Sequence, residues 1–307
     1  MIEENRAEFE KAGILKWHEA GYKGQGIRVA VLDSAPLLTE DMKGIPQYHP
    51  MGEESEIAGG HCASVSRVIH EVAPEAEIYQ FSHLSGYEYV KEHIEDFDVI
   101  NMSIGFNSKM MVDFGIPACY AAGNEGSLDT YDTIKCSWIV VGAWEEFNDG
   151  RAVYSNGGEN LTCVGFTNIH IPTPTEGYTF PFNGTSCASP FVAGQLALLM
   201  SKVGKLTNEE AKEFIANNCV DKRDPGKDIY SGYGLFVLPD PAEVEDMTEI
   251  KMKIGSTLAT IDGQTVLLDV APFAKNGRTF VPIRFVAEAL GCKVDYNSKT
   301  KEITITD

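Results

Sequence analysis

The sequence predicts an α/β fold, a mostly parallel sheet with helices on both faces, followed by a small α+β module. Three observations carry this. The run Ile27-Arg28-Val29-Ala30-Val31-Leu32 is nearly continuous in apolar residues, as suits a strand buried on both faces of a parallel sheet. Similar runs recur at Asp98–Met102, Ile116–Ala122 and Trp138–Ala143, with helix-like stretches at His61–Glu71 and Glu88–Ile94. Strands alternating with helices imply right-handed crossovers and functional groups gathered at the carboxyl ends of strands, where Asp33 sits. Near residue 240 the texture changes, as Leu238-Pro239-Asp240-Pro241 meets the acidic Ala242-Glu243-Val244-Glu245-Asp246, a hinge between domains.

The domains are therefore placed at 1–240 and 250–307, with an acidic linker at 241–249. In the second, Asp262-Gly263 joins Leu258–Ile261 to Thr265–Leu268 as a hairpin. A helix over Ile283–Leu290 stops at Gly291, and two last strands flank Asn297-Ser298-Lys299.

Composition excludes several classes of function. The 307 residues hold 45 acidic and 25 basic side chains, a net charge of −20, and are 43% hydrophobic, which is globular and not disordered. Phosphate contacts need clustered Lys and Arg, and none occurs, so neither nucleic acid nor an anionic membrane is expected as a partner. The longest apolar stretch, Phe191–Met200, contains Gly194 and Gln195 and falls far short of the roughly 20 residues of a membrane span. The seven cysteines (62, 119, 136, 163, 187, 219 and 292) lack C-x-x-C spacing, so reduced thiols are expected, with no disulfide framework, zinc ribbon or cofactor. The start, Met1-Ile2-Glu3-Glu4-Asn5, lacks the features of a secretory signal. A cytoplasmic location is expected, or an extracellular or cell-surface one if the start was trimmed.

The segment Asn183-Gly184-Thr185-Ser186-Cys187-Ala188-Ser189-Pro190 leads into a helical run. It puts a serine at a helix start, where the dipole and unbonded N–H groups favour a developing oxyanion and Pro190 costs no needed donor. Alone, such a serine is more often a simple cap, and Ala188 rules out the G-x-S-x-G elbow. Company changes the weighing. Asp33 ends a strand, Gly60-His61 opens a helix, and Asn124 follows another strand in Ala121-Ala122-Gly123-Asn124-Glu125-Gly126.

These blocks, in the order Asp, His, Asn, Ser, resemble the signature segments of the subtilisin-like serine proteases (subtilases, peptidase family S8) over roughly residues 12–240. Ser231-Gly232-Tyr233-Gly234-Leu235 matches the segment that closes their catalytic domain. The resemblance implies a subtilisin-like fold and a serine endopeptidase acting on extended polypeptides. Ser186 would be the nucleophile, His61 the general base and then acid, Asp33 the residue orienting the imidazole, and Asn124 an oxyanion donor. Ile100–Gly105, with Ser103, Ile104 and Gly105, resembles the edge strand that pairs with substrate, and Ala121, Ala122 and Gly123 would form the opposite wall.

Some features depart from the family pattern. Ala35-Pro36 after Asp33-Ser34, and Cys62-Ala63-Ser64 after His61, replace the usual residues, implying a differently shaped turn beside the aspartate. Val68-Ile69-His70-Glu71 runs straight into Val72-Ala73-Pro74, so the calcium loop of such proteases is missing and no metal site is expected. Barely twenty residues precede Gly24-Gln25-Gly26, so no covalent prodomain is expected. That glycine pair precedes its strand, unlike a dinucleotide loop. His18-Glu19 and His70-Glu71 lack a zincin's second histidine, and His49, His83, His93 and His170 show no ligand spacing. Cys62 and Cys187 are read as small packed side chains.

Residues 250–307, through Leu268–Pro272 and Lys275–Gly291, resemble the stalk domain named after the amino-terminal region of copper amine oxidases. With no His and one Cys there, copper is not implied. The module is read as an adaptor for a protein partner, a surface or a second copy, or as a passive cap. Two alternatives to a general endopeptidase stay open: a pseudoprotease that only binds peptides, and a dedicated processing protease recruited through 250–307.

Overall fold

The computed structural model describes residues 1–34, 47–48, 60–105, 112–128, 137–145, 150–173, 177–221, 225–245, 250–261 and 263–306. The chain divides into compact units, Met1–Glu245 and Asp246–Asp307. The first unit extends past residue 240: Pro241–Glu243 form a 3₁₀ turn capped by Asp240, Pro241 is buried, and Val244 accepts a hydrogen bond from Lys202 Nζ (2.7 Å). What reads as linker in the sequence is thus partly packed surface, with Pro241 buried and Val244 against the apolar core.

The first unit begins with helices α1 (Arg6–Lys11) and α2 (Ile14–Glu19), followed by β1 (Arg28–Asp33), β2 (Gln47–Tyr48), α3 (His61–Val72), β3 (Glu77–Ser82) and α4 (His83–Glu92). It continues through β4 (Val99–Met102), β5 (Ala118–Ala121), β6 (Ile139–Glu145), β7 (Gly150–Arg151), β8 (Leu161–Phe166), β9 (Ile169–Pro172) and β10 (Thr179–Phe182). Helices α5 (Thr185–Val203) and α6 (Asn208–Asn217) and strands β11 (Cys219–Val220) and β12 (Leu235–Phe236) complete it. Among the described residues the main sheet runs β11-β12-β8-β6-β5-β4-β1-β3-β2, parallel throughout except where β11 meets β12, with the short β7 antiparallel to β6.

The apolar runs become strands because both faces are covered. Along β1, Val29 and Val31 enter the core shared with α3 and α5, while Ala30 and Leu32 enter the opposite core with Tyr87 and Val90 of α4. A strand alternating between two dry faces must be apolar at every position. Helix α5 is buried along almost its whole length, which explains why its sequence lacks a polar stripe. Gly194 lets it approach α3 closely: a Cβ there would lie 2.7 Å from the Val72 Cβ.

The order in which strands are added to the sheet reverses at β1. β3 pairs with it on one side and β4 on the other, so the crevice beyond the carboxyl ends of β1 and β4 is the topological switch point where α/β sheets place their sites.

The second unit holds β13 (Ile250–Met252), β14 (Leu258–Ile261) and β15 (Gln264–Leu267) in one antiparallel sheet, the ribbons β16 (Phe273–Lys275) with β17 (Arg278–Phe280) and β18 (Lys293–Asn297) with β19 (Glu302–Thr306), and α7 (Ile283–Ala289). Its hairpin, helix and final strands follow the sequence reading closely. Residues 246–307 carry eight basic and eight acidic side chains, so the acidic excess lies wholly in the first unit.

Candidate active site

Asp33, the last residue of β1, is fully buried. Its Oδ1 accepts from the Ser34 N–H (2.7 Å) and from His61 Nδ1 (2.6 Å). Its Oδ2 is buried with no hydrogen-bond partner among the described residues. The turn after Ser34, expected to differ from the family's, lies outside the described residues.

His61 opens α3, and its side chain is 37% exposed. A carboxylate only accepts, so Nδ1 carries the proton and Nε2 keeps its lone pair. The Asp33 hydrogen bond holds the His61 pKa above that of an ordinary imidazole, against the opposing effect of burial. Phe182, at the end of β10, meets the imidazole edge to face at 5.6 Å and 72°. His83, read as a packing residue, sits with Nδ1 3.2 Å from the Asp33 carbonyl oxygen.

Ser186 is the second residue of α5. Gly184, with φ +82° and hence in the region where glycine is favoured, turns the chain into the helix, and its carbonyl accepts the Cys187 and Ala188 N–H groups (3.0 and 3.3 Å). The Ser186 N–H lies in the first turn, where no intrahelical acceptor exists. The Ser186 hydroxyl donates to the Ser103 carbonyl (3.1 Å), and no hydrogen bond joins it to His61.

Asn124 follows β5 on an exposed loop. Its Oδ1 accepts from both the N–H (3.0 Å) and the hydroxyl (3.1 Å) of Thr185, and Thr185 Oγ1 accepts the Gly123 N–H (3.1 Å). With its oxygen engaged by the residue beside Ser186, the amide can present only its N–H₂ elsewhere. Thr185 is the orienting residue, which the sequence shows as no more than a helix-start threonine.

The structure thus brings Asp33, His61, Asn124 and Ser186 to one crevice, at the carboxyl ends of the neighbouring strands β1, β4 and β5 and the start of α5. Ser103–Gly105 lie there too, but not on an edge strand. β4 is interior, its pairing with β1 and β5 ends at Met102, and residues 103–105 run on beyond the sheet. Ser103 is buried, Ile104 half-buried and Gly105 exposed. Ala121 ends β5, Ala122 donates to the Val141 carbonyl (2.9 Å), and Gly123 faces Thr185. A buried chain the sequence did not reveal links α5 to Ser103: Ser189 Oγ donates to Asn101 Oδ1 (2.7 Å) and Asn101 Nδ2 to Ser103 Oγ (3.0 Å). It ties α5, the helix that carries Ser186, to the end of β4.

Burial pushes the Cys187 thiol up to about 12 and the Cys62 thiol well above its ordinary value, so neither supplies a thiolate near neutrality. Among the described residues no cluster of three or more His, Cys, Asp or Glu could hold a metal ion. His49 lies outside the described residues, His93 stacks on Tyr89, and His170 contacts Thr179.

The two parts of the chain resemble different known proteins. Residues 242–305 match the sequence profile of the copper amine oxidase N-terminal domain. The chain is 31% identical over 259 residues to subtilisin E of Bacillus subtilis, covering 71% of this chain and 66% of that protein. It is 30% identical to the subtilisin of Bacillus pumilus, covering 71% of this chain and 92% of that protein. The chain therefore spans just under two thirds of the length of the first and nearly all of the second. Its fold is shared by the crystal structure of a lanthipeptide protease (TM-score 0.61, 19% identity, 76% of this chain, 94% of that one). It is also shared by fervidolysin from Fervidobacterium pennivorans, a keratinolytic enzyme related to subtilisin (TM-score 0.59, 22% identity, 75% and 44%). With residues 51–234, more than half its length, matching the family profile, the chain belongs to the subtilase family.

Proposed function

We propose that the chain is a serine endopeptidase that cleaves extended polypeptides through an acyl-enzyme on Ser186. The observation that carries this is the Asp33–His61 hydrogen bond at 2.6 Å, set in the same crevice as Ser186 and Asn124. With Nδ1 held by the carboxylate, His61 offers Nε2 to the Ser186 hydroxyl. The hydroxyl leaves the Ser103 carbonyl, gives its proton to Nε2 and attacks the scissile carbonyl carbon. The oxyanion is met by Asn124 Nδ2 and the Ser186 N–H. The imidazolium, stabilised by Asp33, then protonates the departing amine. Water repeats the sequence on the acyl-enzyme and frees Ser186. Substrate main chain pairs with residues 103–105, and residues 121–123 form the opposite wall.

A fluorophosphonate probe should label the wild type and spare Ser186→Ala, and His61→Ala should abolish turnover of unfolded casein. Equal labelling of both proteins, or casein turnover that survives His61→Ala, defeats the reading. The pseudoprotease alternative is disfavoured by the intact Asp33–His61 bond.

A dedicated processing role has one supporting observation. Two solved structures of this fold are titled a lanthipeptide protease and the prenylagaramide maturation protease PagA, the latter with TM-score 0.57 and 20% identity. In that role residues 250–307 recruit a native target, and deleting them impairs its cleavage while sparing a short peptide. We place the protein in a reducing cell interior, on the free thiols of Cys62, Cys119, Cys163, Cys187 and Cys219. Recovery of the native protein with those thiols oxidised would overturn that placement.

A further inference from the structure

We propose that Asn156 is a positioning residue for catalysis, a buried clamp that fixes the loop carrying Asn124; this rests on the serine peptidase reading above. Asn156 lies between β7 and β8, far from the four family blocks in sequence, and is fully buried. Its Oδ1 accepts the N–H groups of Glu125 (3.1 Å) and Ser127 (3.0 Å). Its Nδ2 donates to the Ala122 carbonyl (3.0 Å) and to Glu125 Oε2 (2.5 Å). Its own N–H donates to the Gly123 carbonyl (2.9 Å).

One side chain thus takes up polar groups immediately before and after Asn124 without touching Asn124 itself. The loop has no sheet pairing beyond Ala121 apart from the bond from Ala122 to Val141; backbone bonds from Gly126 to Tyr154 (2.7 Å) and from Gly157 to Ser127 (2.9 Å) hold its far end, and the Asn156 side chain holds the residues flanking Asn124. Gly123 records how close the fit is: φ there is +99°, and a Cβ would lie 2.4 Å from Asn156 Nδ2. Asn156 holds the loop from beneath while Thr185 holds the Asn124 oxygen, and the two anchors together set where Nδ2 points. An oxyanion donor acts only if its N–H is aimed before charge develops, and the loss of such a donor costs about 10²–10³ in turnover. Loosening the loop should forfeit part of that.

The test is a double-mutant cycle in the full chain. Asn156→Ala should lower kcat on a short peptide anilide about 10- to 100-fold with KM within about threefold, a fraction of the full oxyanion-donor effect. In an Asn124→Ala background the same change should cost less than about threefold, because the group it positions is gone. A loss of the same size in both backgrounds, or a kcat within about twofold of wild type, overturns the proposal. Asn156→Asp keeps both acceptor bonds, loses both donor bonds and sets a carboxylate beside Glu125. It enters the same cycle if Asn156→Ala does not fold, with the same outcomes required. Amide hydrogen exchange separates this proposal from the peptidase reading. Even if the wild type neither turns over substrate nor labels, exchange at Glu125 and Ser127 should speed up in the variant while the central strands stay protected. Unchanged exchange there overturns the clamp.

Discussion

Replacing Asp33 by Asn tests the geometry of the triad. In the Ser-His-Asp template such a change is ruinous, about 10⁴ in kcat, because the amide turns its N–H₂ to the histidine and imposes the wrong tautomer. Here Asp33 Oδ1 accepts two donors at once, His61 Nδ1 at 2.6 Å and the Ser34 N–H at 2.7 Å. An asparagine whose N–H₂ took that place would oppose its own donor to Ser34. Its oxygen should therefore stay where Oδ1 is, His61 should keep its proton on Nδ1, and only the negative charge should be lost.

A unit charge about 4 Å from the imidazolium is worth about 4 kcal/mol at an effective dielectric near 20. The His61 side chain is 37% exposed, so water screens part of this, leaving about 2–4 kcal/mol, or about 30- to 1,000-fold in kcat at 1.36 kcal/mol per decade. The Asn N–H₂ at the Oδ2 position, unpartnered among the described residues, should cost a further ~1–3 kcal/mol of stability. The sign of the pH effect follows from the raised His61 pKa. Activity needs the neutral imidazole, so the acid limb of kcat/KM in the wild type lies above that of an ordinary histidine, and removing the carboxylate moves it toward lower pH. The assay is a pH profile of kcat/KM on a peptide anilide beside a thermal melt. A loss of 10⁴ or more, or an acid limb that does not move, refutes the reasoning.

Gly194→Ala should lower the melting temperature: the new Cβ lies 2.7 Å from Val72 Cβ, and overpacking of about 1–3 kcal/mol exceeds the ~1 kcal/mol helix gain; an unchanged or higher value counts against close α3–α5 contact. Asp98→Ala should destabilise by about 2 kcal/mol in a denaturant titration. It removes a buried carboxylate that accepts from the Arg28 N–H (2.8 Å) and Arg28 Nε (3.3 Å) and pairs with Lys205 Nζ (2.6 Å); stability equal to wild type would show these bonds to be idle. Cleavage of a cationic peptide should slow several-fold between about 0.01 and 0.5 M salt while a neutral peptide is unaffected, since charges beyond a Debye length are screened. Parallel salt curves for the two peptides would sever the −20 charge from substrate attraction.

The sequence by itself named candidate residues, through four ordered blocks that resemble a known family, and the kind of sheet that carries them. Val29–Leu32 had to be a strand dry on both faces because four consecutive apolar residues offer no wet side, and Asp33 had to stand at its end. Ser186 was legible as a helix-start serine because a helix start is a local feature, set by Gly184 and the Pro190 that follows, and as a candidate nucleophile only in the company of Asp33, His61 and Asn124. The hairpin and helix of residues 250–307 were legible for the same reason. Groups whose meaning depends on distant partners were not. Asn156, Ser189 and Asn101 look like ordinary loop, helix and strand residues, because a single buried amide or hydroxyl has no periodicity and no spacing rule. Only the tertiary structure decided that Ser103–Gly105 extend an interior strand, that Thr185 fixes the Asn124 amide, that Phe182 braces His61 and that residues 241–245 pack on the first unit. Local pattern fixes elements through short-range sterics and apolar period. Hydrogen bonds that orient catalytic groups join positions tens of residues apart, and they exist only once the sheet has brought them together.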